Sequence, residues 1–300
     1  MKTKILLFLL VVIFNSSVWG QSSKVADKVY TDRIDSLLSD VLFGEGELAN
    51  IFGLKKEYQF LYLRSNIDSK TFYAGREIGM NQYNISNQIF YLNSNGIYAG
   101  ISGTWYSQLD PNYRTTILKL GYGKAIQNHP GLRYRTSFDY YVFHEKEPEY
   151  ESPYFGSWNG GLTLKTKSLG TRFDAAILLG SEFDSQLNWS AFGYLNIAKF
   201  GAYSKIRLEP EISLFFGNEV AAYDLGEGLI DPVTNIVYNS YYKESFGLMN
   251  VQLELPLAIT FKNLDLNISY QYNIPRTSGD LISYPNSSFL RFSVGYMFSL

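Results

Sequence analysis

The sequence contains no cysteine, only two histidines and, after its first twenty residues, no long hydrophobic run. Without cysteine, neither a disulfide framework nor a cysteine-ligated metal site can form. Two histidines are also too few for a histidine-rich metal site. The 26 Lys and Arg residues are balanced by 28 Asp and Glu residues, so the basic surface typical of nucleic-acid binding is missing. We therefore predict no metal, no cofactor and no nucleic-acid partner. Aromatic residues, in contrast, are abundant at 17% of 300 residues.

Residues 1–20 are typical of a cleaved secretory signal peptide. Lys2 and Lys4 precede an apolar run over 5–14, and small residues at 18 and 20 permit cleavage before Gln21. A helix needs about 20 apolar residues to span a bilayer. This run is shorter, so a membrane anchor is disfavoured. Because no later run is long enough for a transmembrane helix, the exported chain is expected to be either soluble or a closed β-barrel.

Residues 21–56 are predicted to form a periplasmic N-terminal segment. Within it, apolar residues recur at helical spacing over 24–43, which predicts one amphipathic helix, and Gly44-Glu45-Gly46 ends it. Four roles stay open for this helix. It could plug the lumen, cap the periplasmic mouth, bind a periplasmic protein or be a lightly packed extension.

From residue 57 to residue 300, apolar and polar residues alternate with a period of two. The segments are about ten residues long, which suits a tilted strand crossing a bilayer, whereas soluble strands are shorter. Of the twelve segments, the first two alternate poorly. They cover 57–65, 83–93, 97–107, 113–123, 131–143, 157–167, 171–181, 186–199, 203–217, 246–261, 263–274 and 288–299. We therefore predict an all-β fold, a transmembrane antiparallel up-and-down β-barrel of about 12 strands with a short N-terminal helix.

The predicted connections alternate in length. Those after even-numbered segments are short, and the first contains Asn95-Gly96, a strong hairpin signal. Of the other six, 66–82, 144–156, 218–245 and 275–287 are long, while 108–112 and 182–185 are short. A barrel with both termini in the periplasm is expected to show this asymmetry, whereas a soluble exported β-domain gives no reason for it.

The last strand carries a family resemblance. In 289–300 the side chains at 290, 292, 294, 296, 298 and 300 are apolar, and Arg291 and Ser293 lie on the other face. This resembles the C-terminal strand of Gram-negative outer-membrane β-barrel proteins, although that family most often ends on Phe or Trp and this chain ends on Leu300. Thr71-Phe72-Tyr73-Ala74-Gly75-Arg76 and the Tyr- and Asn-rich composition resemble small barrels of the Bacteroidota. The resemblance implies an outer-membrane location, contact with its lipid, and recognition of the last strand by the barrel-assembly machinery.

Charged residues on the predicted inner faces are the candidate lumen lining. A charge on the lipid face would cost about 2–4 kcal/mol near the bilayer midplane for Arg or Lys. Thirteen charges share the inner assignment: Arg133, Arg135, Asp139, Lys165, Arg172, Asp174, Lys205, Arg207, Glu209, Glu211, Glu254, Asp265 and Arg291. They would either line a hydrated pore that selects polar solutes or fill the lumen as paired charges.

Two functional hypotheses follow. The first is a porin-like, narrow passive channel for small polar solutes. The alternative is a closed structural or interaction barrel that scaffolds partners, periplasmic or extracellular, through its loops or its helix. The Tyr- and acid-rich stretch 218–245 could contact such a ligand, fold over the mouth as a lid, or contribute to the aromatic girdle.

We predict no enzymatic activity, and no catalytic residue. In barrel lipid hydrolases, His and Ser lie two residues apart on one strand, but neither His129 nor His144 has a serine two residues later. His144 lies at the outer end of a predicted strand before three glutamates, where a general acid–base role is conceivable but a solvated loop residue is favoured. A barrel hydrolase is therefore a distant third hypothesis.

Overall fold

The structure, a computed structural model, describes residues 59–73, 76–77, 82–144, 154–181, 183–200, 204–230, 237–276 and 284–300. The predicted signal peptide and amphipathic helix lie outside the described residues. The strands are β1 (Gln59–Asp68), β2 (Phe72–Tyr73), β3 (Arg76–Glu77), β4 (Asn84–Asn93), β5 (Ile97–Tyr106), β6 (Tyr113–Ile126), β7 (His129–Phe143), β8 (Tyr154–Lys165), β9 (Leu169–Gly180), β10 (Asp184–Gly193), β11 (Leu195–Lys199), β12 (Ser204–Leu208), β13 (Glu211–Ile230), β14 (Val237–Phe261), β15 (Leu264–Pro275) and β16 (Ser287–Ser299).

These strands form a closed antiparallel barrel. Neighbouring strands of the wall pair antiparallel, and β1 pairs with β4 on one side and with β16 on the other, which closes the sheet. The strands β2 and β3 form a separate small hairpin. Two wall strands are each interrupted once, between β10 and β11 and between β12 and β13. Proline lacks an N–H, and Pro210 lies at the second break, yet the Glu209 N–H still donates to the Pro256 carbonyl at 3.0 Å. The described residues therefore build twelve wall strands, which confirms the predicted fold class.

No helix among the described residues is long and apolar enough to cross a membrane.

The tight connections between strands lie at one end of the barrel, called here the short-turn end. Gly96 has a φ of 91° in the β4–β5 turn, and Asn128 and Lys262 also have positive φ, at 67° and 54°. The Asn93 side-chain oxygen accepts hydrogen bonds from the Asn95 and Ile97 N–H groups, at 3.0 and 3.2 Å. The predicted Asn-Gly turn is therefore confirmed, and its side-chain cap fixes where β4 ends.

The opposite, long-connection end differs from the expectation at one place. The stretch 218–245 was predicted as a loop, but β13 continues to Ile230 and β14 begins at Val237. Among the described residues, β10 pairs with β13 only as far as Gly217, and β15 pairs with β14 only from Asn250. Beyond those points β13 and β14 pair with each other, as a hairpin about 40 Å long at about 3.4 Å per residue. The pairing of β13 with β14 continues across a register shift between Asp224 and Leu229.

Side-chain burial is inverted relative to a soluble protein. Large apolar side chains face outward, with Leu120 62% and Trp158 55% exposed, while Asp139, Asn250 and Gln271 are fully buried inside. In water such an apolar belt would be unfavourable, whereas bilayer lipid solvates it. The polar interior of the barrel is therefore where a functional site is to be sought.

Candidate functional site in the barrel lumen

The strand register places twelve of the thirteen predicted charges on the inner face of the wall, and Glu209, at the break between β12 and β13, forms an ion pair with the inward Arg207. They share this face with fully buried or nearly buried polar side chains such as Ser137, Asn159 and Ser190. Whether they line a path for solutes stays a prediction. Their contacts divide them into groups, and the groups differ between the two ends of the barrel.

Four of the predicted charges form one chain of ion pairs, the charge network of Arg135, Asp174, Arg172 and Glu211. Arg135 contacts Asp174 at 2.5 Å, and Arg172 bridges Asp174 at 3.3 Å and Glu211 at 3.0 Å. The network crosses the wall from β7 to β13. Both arginines are more than nine-tenths buried, and each carboxylate is 20% exposed. Charges of opposite sign therefore neutralise each other along this part of the lumen.

Gly161 makes the first bridge of the charge network possible. The register aligns Arg135 with Gly161 and Gly161 with Asp174, so the arginine reaches its partner across the intervening strand β8. A Cβ atom at Gly161 would lie 2.5 Å from both the Arg135 Nε and an Asp174 carboxylate oxygen. The missing side chain thus opens the space that the ion pair fills.

A second buried pair joins Asp139 to Lys119, at 3.0 Å between the Nζ and a carboxylate oxygen. Both side chains are almost fully buried, at 2% and 1% exposure, and the Ser137 hydroxyl also donates to Asp139 at 3.3 Å. Sequence analysis found Asp139 but missed Lys119, although Lys119 alternates correctly with the outward Leu118 and Leu120. The signal was there in the period-two pattern of 113–123.

At the short-turn end, two cations share one aromatic ring. The Lys165 ammonium lies 4.4 Å and the Arg207 guanidinium 4.7 Å from the Tyr194 ring centre, a cation–π geometry. Arg207 also forms an ion pair with Glu209. The three remaining predicted charges of this end are half-buried on the inner face: Arg133, Lys205 and Asp265.

The wall between β14 and β15 is held by uncharged amides rather than charges. Asn250 donates to Asn273 at 3.0 Å and Gln252 donates to Gln271 at 3.2 Å. Below them Glu254 accepts a hydrogen bond from Ser269. Because the amides are buried, each bond replaces one that the groups would make with water. The sequence placed Glu254 on this face but did not identify the amide ladder.

Part of the inner face is aromatic, which the sequence did not predict. Tyr62, Phe90 and Tyr98 are buried, and each covers a glycine on the neighbouring strand, as Tyr98 does with Gly121. Glycine leaves room for a ring to lie flat against the strand. Since both faces of β1 and β4 carry apolar residues, the alternation there was weak and concealed which face points inward.

A polar cavity of about 80 Å³ opens in the long-connection half of the lumen. Arg291 lies at its wall and binds both oxygens of Asp68, one of them at 2.7 Å. Arg64, also in the wall, donates to the Ser293 hydroxyl at 3.0 Å. Of these residues the sequence predicted Arg291 only, because β1, which carries Arg64 and Asp68, showed poor alternation.

His144 lies apart from the lumen. Its ring contacts the Thr116 hydroxyl at 3.0 Å and packs against Tyr113 at 5.1 Å between centres. Thr116 alternates with the buried Thr115 and so faces outward, and the register shift before it lets the Tyr113 ring lie on the same face, over Gly103. Among the described residues, no Asp or Glu side chain contacts the His144 ring. Within the described ranges, no group of three or more His, Asp or Glu side chains is arranged to hold a metal.

No protein-family model matches the sequence, and no curated protein matches it. Several solved structures match in fold comparison. They include the KdgM porin (9% identity, TM-score 0.41, covering 80% of this chain and 99% of the porin) and LpxR from Salmonella typhimurium (10% identity, TM-score 0.44, covering 79% and 100%). An outer membrane channel from Pseudomonas putida F1 also matches (6% identity, TM-score 0.41, covering 81% and 95%). All three TM-scores are below 0.5.

Proposed function

We propose that the chain is an outer-membrane β-barrel whose lumen is a narrow passive channel for small polar solutes. The observation that supports this most is the inner wall, where charged, amide and hydroxyl side chains face one another while large apolar side chains face outward. A hydrated path through a bilayer requires such a polar lining. The lipid-facing belt and the alternation of short and long connections favour the outer membrane as its location.

The packing of the lumen favours a narrow path. Asp139, Asn250 and Gln271 have no exposed surface, and the charge network joins β7 to β13 along the inner wall. A solute would therefore pass only as side chains move, which restricts it to ions and small polar molecules. On this reasoning, conductance steps should be small and should increase when the charge network is broken.

Single-channel recording in a planar bilayer tests the proposal. The refolded chain, residues 21–300, should give steady current steps in proportion to salt concentration. Arg135→Gln and Glu211→Gln should change cation-to-anion selectivity in opposite directions. Heat-denatured protein at the same concentration is the control for detergent artefacts. A correctly folded barrel that inserts but passes no current would contradict the channel proposal.

The alternative is a closed barrel that acts through binding partners. Two observations favour it, namely the complete burial of polar side chains at mid-lumen and the long β13–β14 hairpin beyond the barrel wall. Deleting 219–243 should leave the barrel folded, and loss of a partner that co-purifies with the unmodified chain would support this alternative. If the unmodified and the deleted chain recover the same proteins, the hairpin is not a partner site.

A further inference from the structure

The cavity in the long-connection half contains a buried cation that no carboxylate touches. Arg64 is 9% exposed, and its guanidinium donates to Ser293. Within the described part of the chain, no carboxylate oxygen lies within 4.0 Å of Arg64. A buried charge is unfavourable unless an opposite charge or several hydrogen bonds compensate it. The fold therefore leaves an attractive position for a negative group beside Arg64.

Among the described residues, the carboxylates that act on Arg64 electrostatically are those of Asp68 and Asp265. Neither of them forms an ion pair with Arg64. Arg291 binds both oxygens of Asp68. Asp265 lies in the same row as Arg64 but two strands away, with Gly295 between them. The Tyr62 ring covers Gly295 and occupies the space between the two side chains.

The lining of the cavity is positively charged. Among the described residues that line it, Arg64, Lys70 and Arg291 are cationic and Asp68 is the carboxylate, so their formal charges sum to +2. The rest of the lining supplies mostly hydroxyl and amide groups, including Ser102 and Gln88. A small negative ion would therefore find both charge compensation and hydrogen-bond donors.

We propose that this cavity is a binding site for the carboxylate group of a small organic acid. At about 10–15 Å³ for each water-sized group, about 80 Å³ accepts a carboxylate with a short carbon chain. The planar guanidinium of Arg64 matches the planar carboxylate, which favours this anion over a spherical one. The inference deepens the proposed channel function, on which its physiological meaning rests, because the cavity is part of the lumen through which a solute would pass.

Acetate and acetamide, which have nearly the same shape but differ in charge, provide the test. The mature chain, purified from membranes in detergent, is titrated with each ¹³C-labelled compound at low ionic strength, and line broadening gives the dissociation constant. Acetate is expected to bind at least about tenfold more tightly than acetamide, the factor that one charge-assisted hydrogen bond gives. Equal binding of the two compounds, or no binding of acetate, would overturn the inference.

Substitutions then locate the site. Arg64→Gln should weaken acetate binding by at least about tenfold. Arg64→Lys keeps the positive charge but lacks the planar guanidinium group, and it should weaken acetate binding less. Lys167→Gln, which removes an exposed cation from the β8–β9 turn at the opposite end of the barrel, is the matched control and should leave binding unchanged. If Arg64→Gln does not fold, Gln88→Leu replaces it as the cavity variant, because Gln88 lies opposite Arg64 in the β1–β4 register. This substitution should weaken acetate binding without changing the charge of the cavity. Unaltered acetate binding in whichever of these two cavity variants folds would overturn the proposal.

The outcome separates the two proposals. Acetate binding by a barrel that passes no current would keep the anion site and refute the channel. Current without acetate binding would keep the channel and refute the anion site.

Discussion

Asp174→Ala is expected to destabilise the barrel strongly, because Asp174 joins two buried arginines. Its carboxylate contacts Arg135 at 2.5 Å and Arg172 at 3.3 Å, and the two arginine side chains are 6% and 8% exposed. Removing one partner of a buried ion pair typically costs about 3–5 kcal/mol. The lower end applies here, because Asp174 is 20% exposed and Arg172 keeps Glu211 at 3.0 Å. We therefore expect a loss of about 3 kcal/mol in the free energy of unfolding.

Guanidinium chloride unfolding in lipid vesicles measures this loss, with the outward-facing Trp158 and Trp189 as fluorescent reporters of insertion. Lys167→Ala, which removes an exposed charge from the β8–β9 turn, is the control and should change stability by less than about 0.5 kcal/mol. The double variant Arg135→Met with Asp174→Leu should recover most of the loss, since an apolar pair of similar volume can replace a buried ion pair. If Asp174→Ala costs no more than Lys167→Ala, the charge network does not hold the wall together.

Three further substitutions test other parts of the barrel in the same unfolding assay. Leu120 lies at the middle of β6 and is 62% exposed on the outer face. Leu120→Arg should lower the free energy of unfolding by about 2–4 kcal/mol, and an unchanged free energy would show that this face does not contact lipid. Gly96→Ala should cost about 1–2 kcal/mol because φ is 91° there and the new Cβ would lie 2.5 Å from the Gly123 carbonyl oxygen; unchanged stability would refute the strained turn. Gly161→Ala should cost about 1–3 kcal/mol by pushing Arg135 and Asp174 apart. The cost should disappear when Arg135 and Asp174 are both replaced by Ala, which removes the side-chain atoms that the new methyl group would meet; a cost that persists there would show that the methyl group clashes with something else.

The wall of the barrel could be predicted from the sequence because lipid imposes a rule on every crossing strand. Each residue that faces the bilayer must be apolar, so apolar residues alternate with a period of two along 132–142 and 251–261. This alternation predicts that the segment is a strand, which of its faces points to lipid, and how long it is. The segment 203–217 is expected as one strand through Pro210, whereas the structure ends β12 at Leu208 and begins β13 at Glu211, so the strand is interrupted at the proline. The rule weakens where the inner face is apolar too, and β1 and β4, with Tyr62 and Phe90 inside, are the strands that alternated poorly.

The partners inside the lumen could not be predicted, because they depend on register rather than on composition. Arg135 and Asp174 are 39 residues apart and meet only because Gly161 lies between them in the ladder. A shift of one strand by two residues would keep every side chain on its face and change every pair. The long β13–β14 hairpin was missed for a related reason, since its pairing continues past a register shift that resembles a loop in the sequence.

Inward charges alone cannot distinguish a pore from a filled lumen, because both need polar side chains on the inner face. The distinction lies in whether the charges satisfy one another. The charge network, the Lys119–Asp139 pair and the Arg291–Asp68 pair do so, as a barrel stabilised by its own interior requires. Arg64 does not, since among the described residues its hydrogen bond goes to the neutral Ser293, in a cavity whose described lining has a net positive formal charge. A lumen that only had to be filled would gain stability from a neutral residue at this position, so the buried arginine is better explained by an anion that enters and leaves.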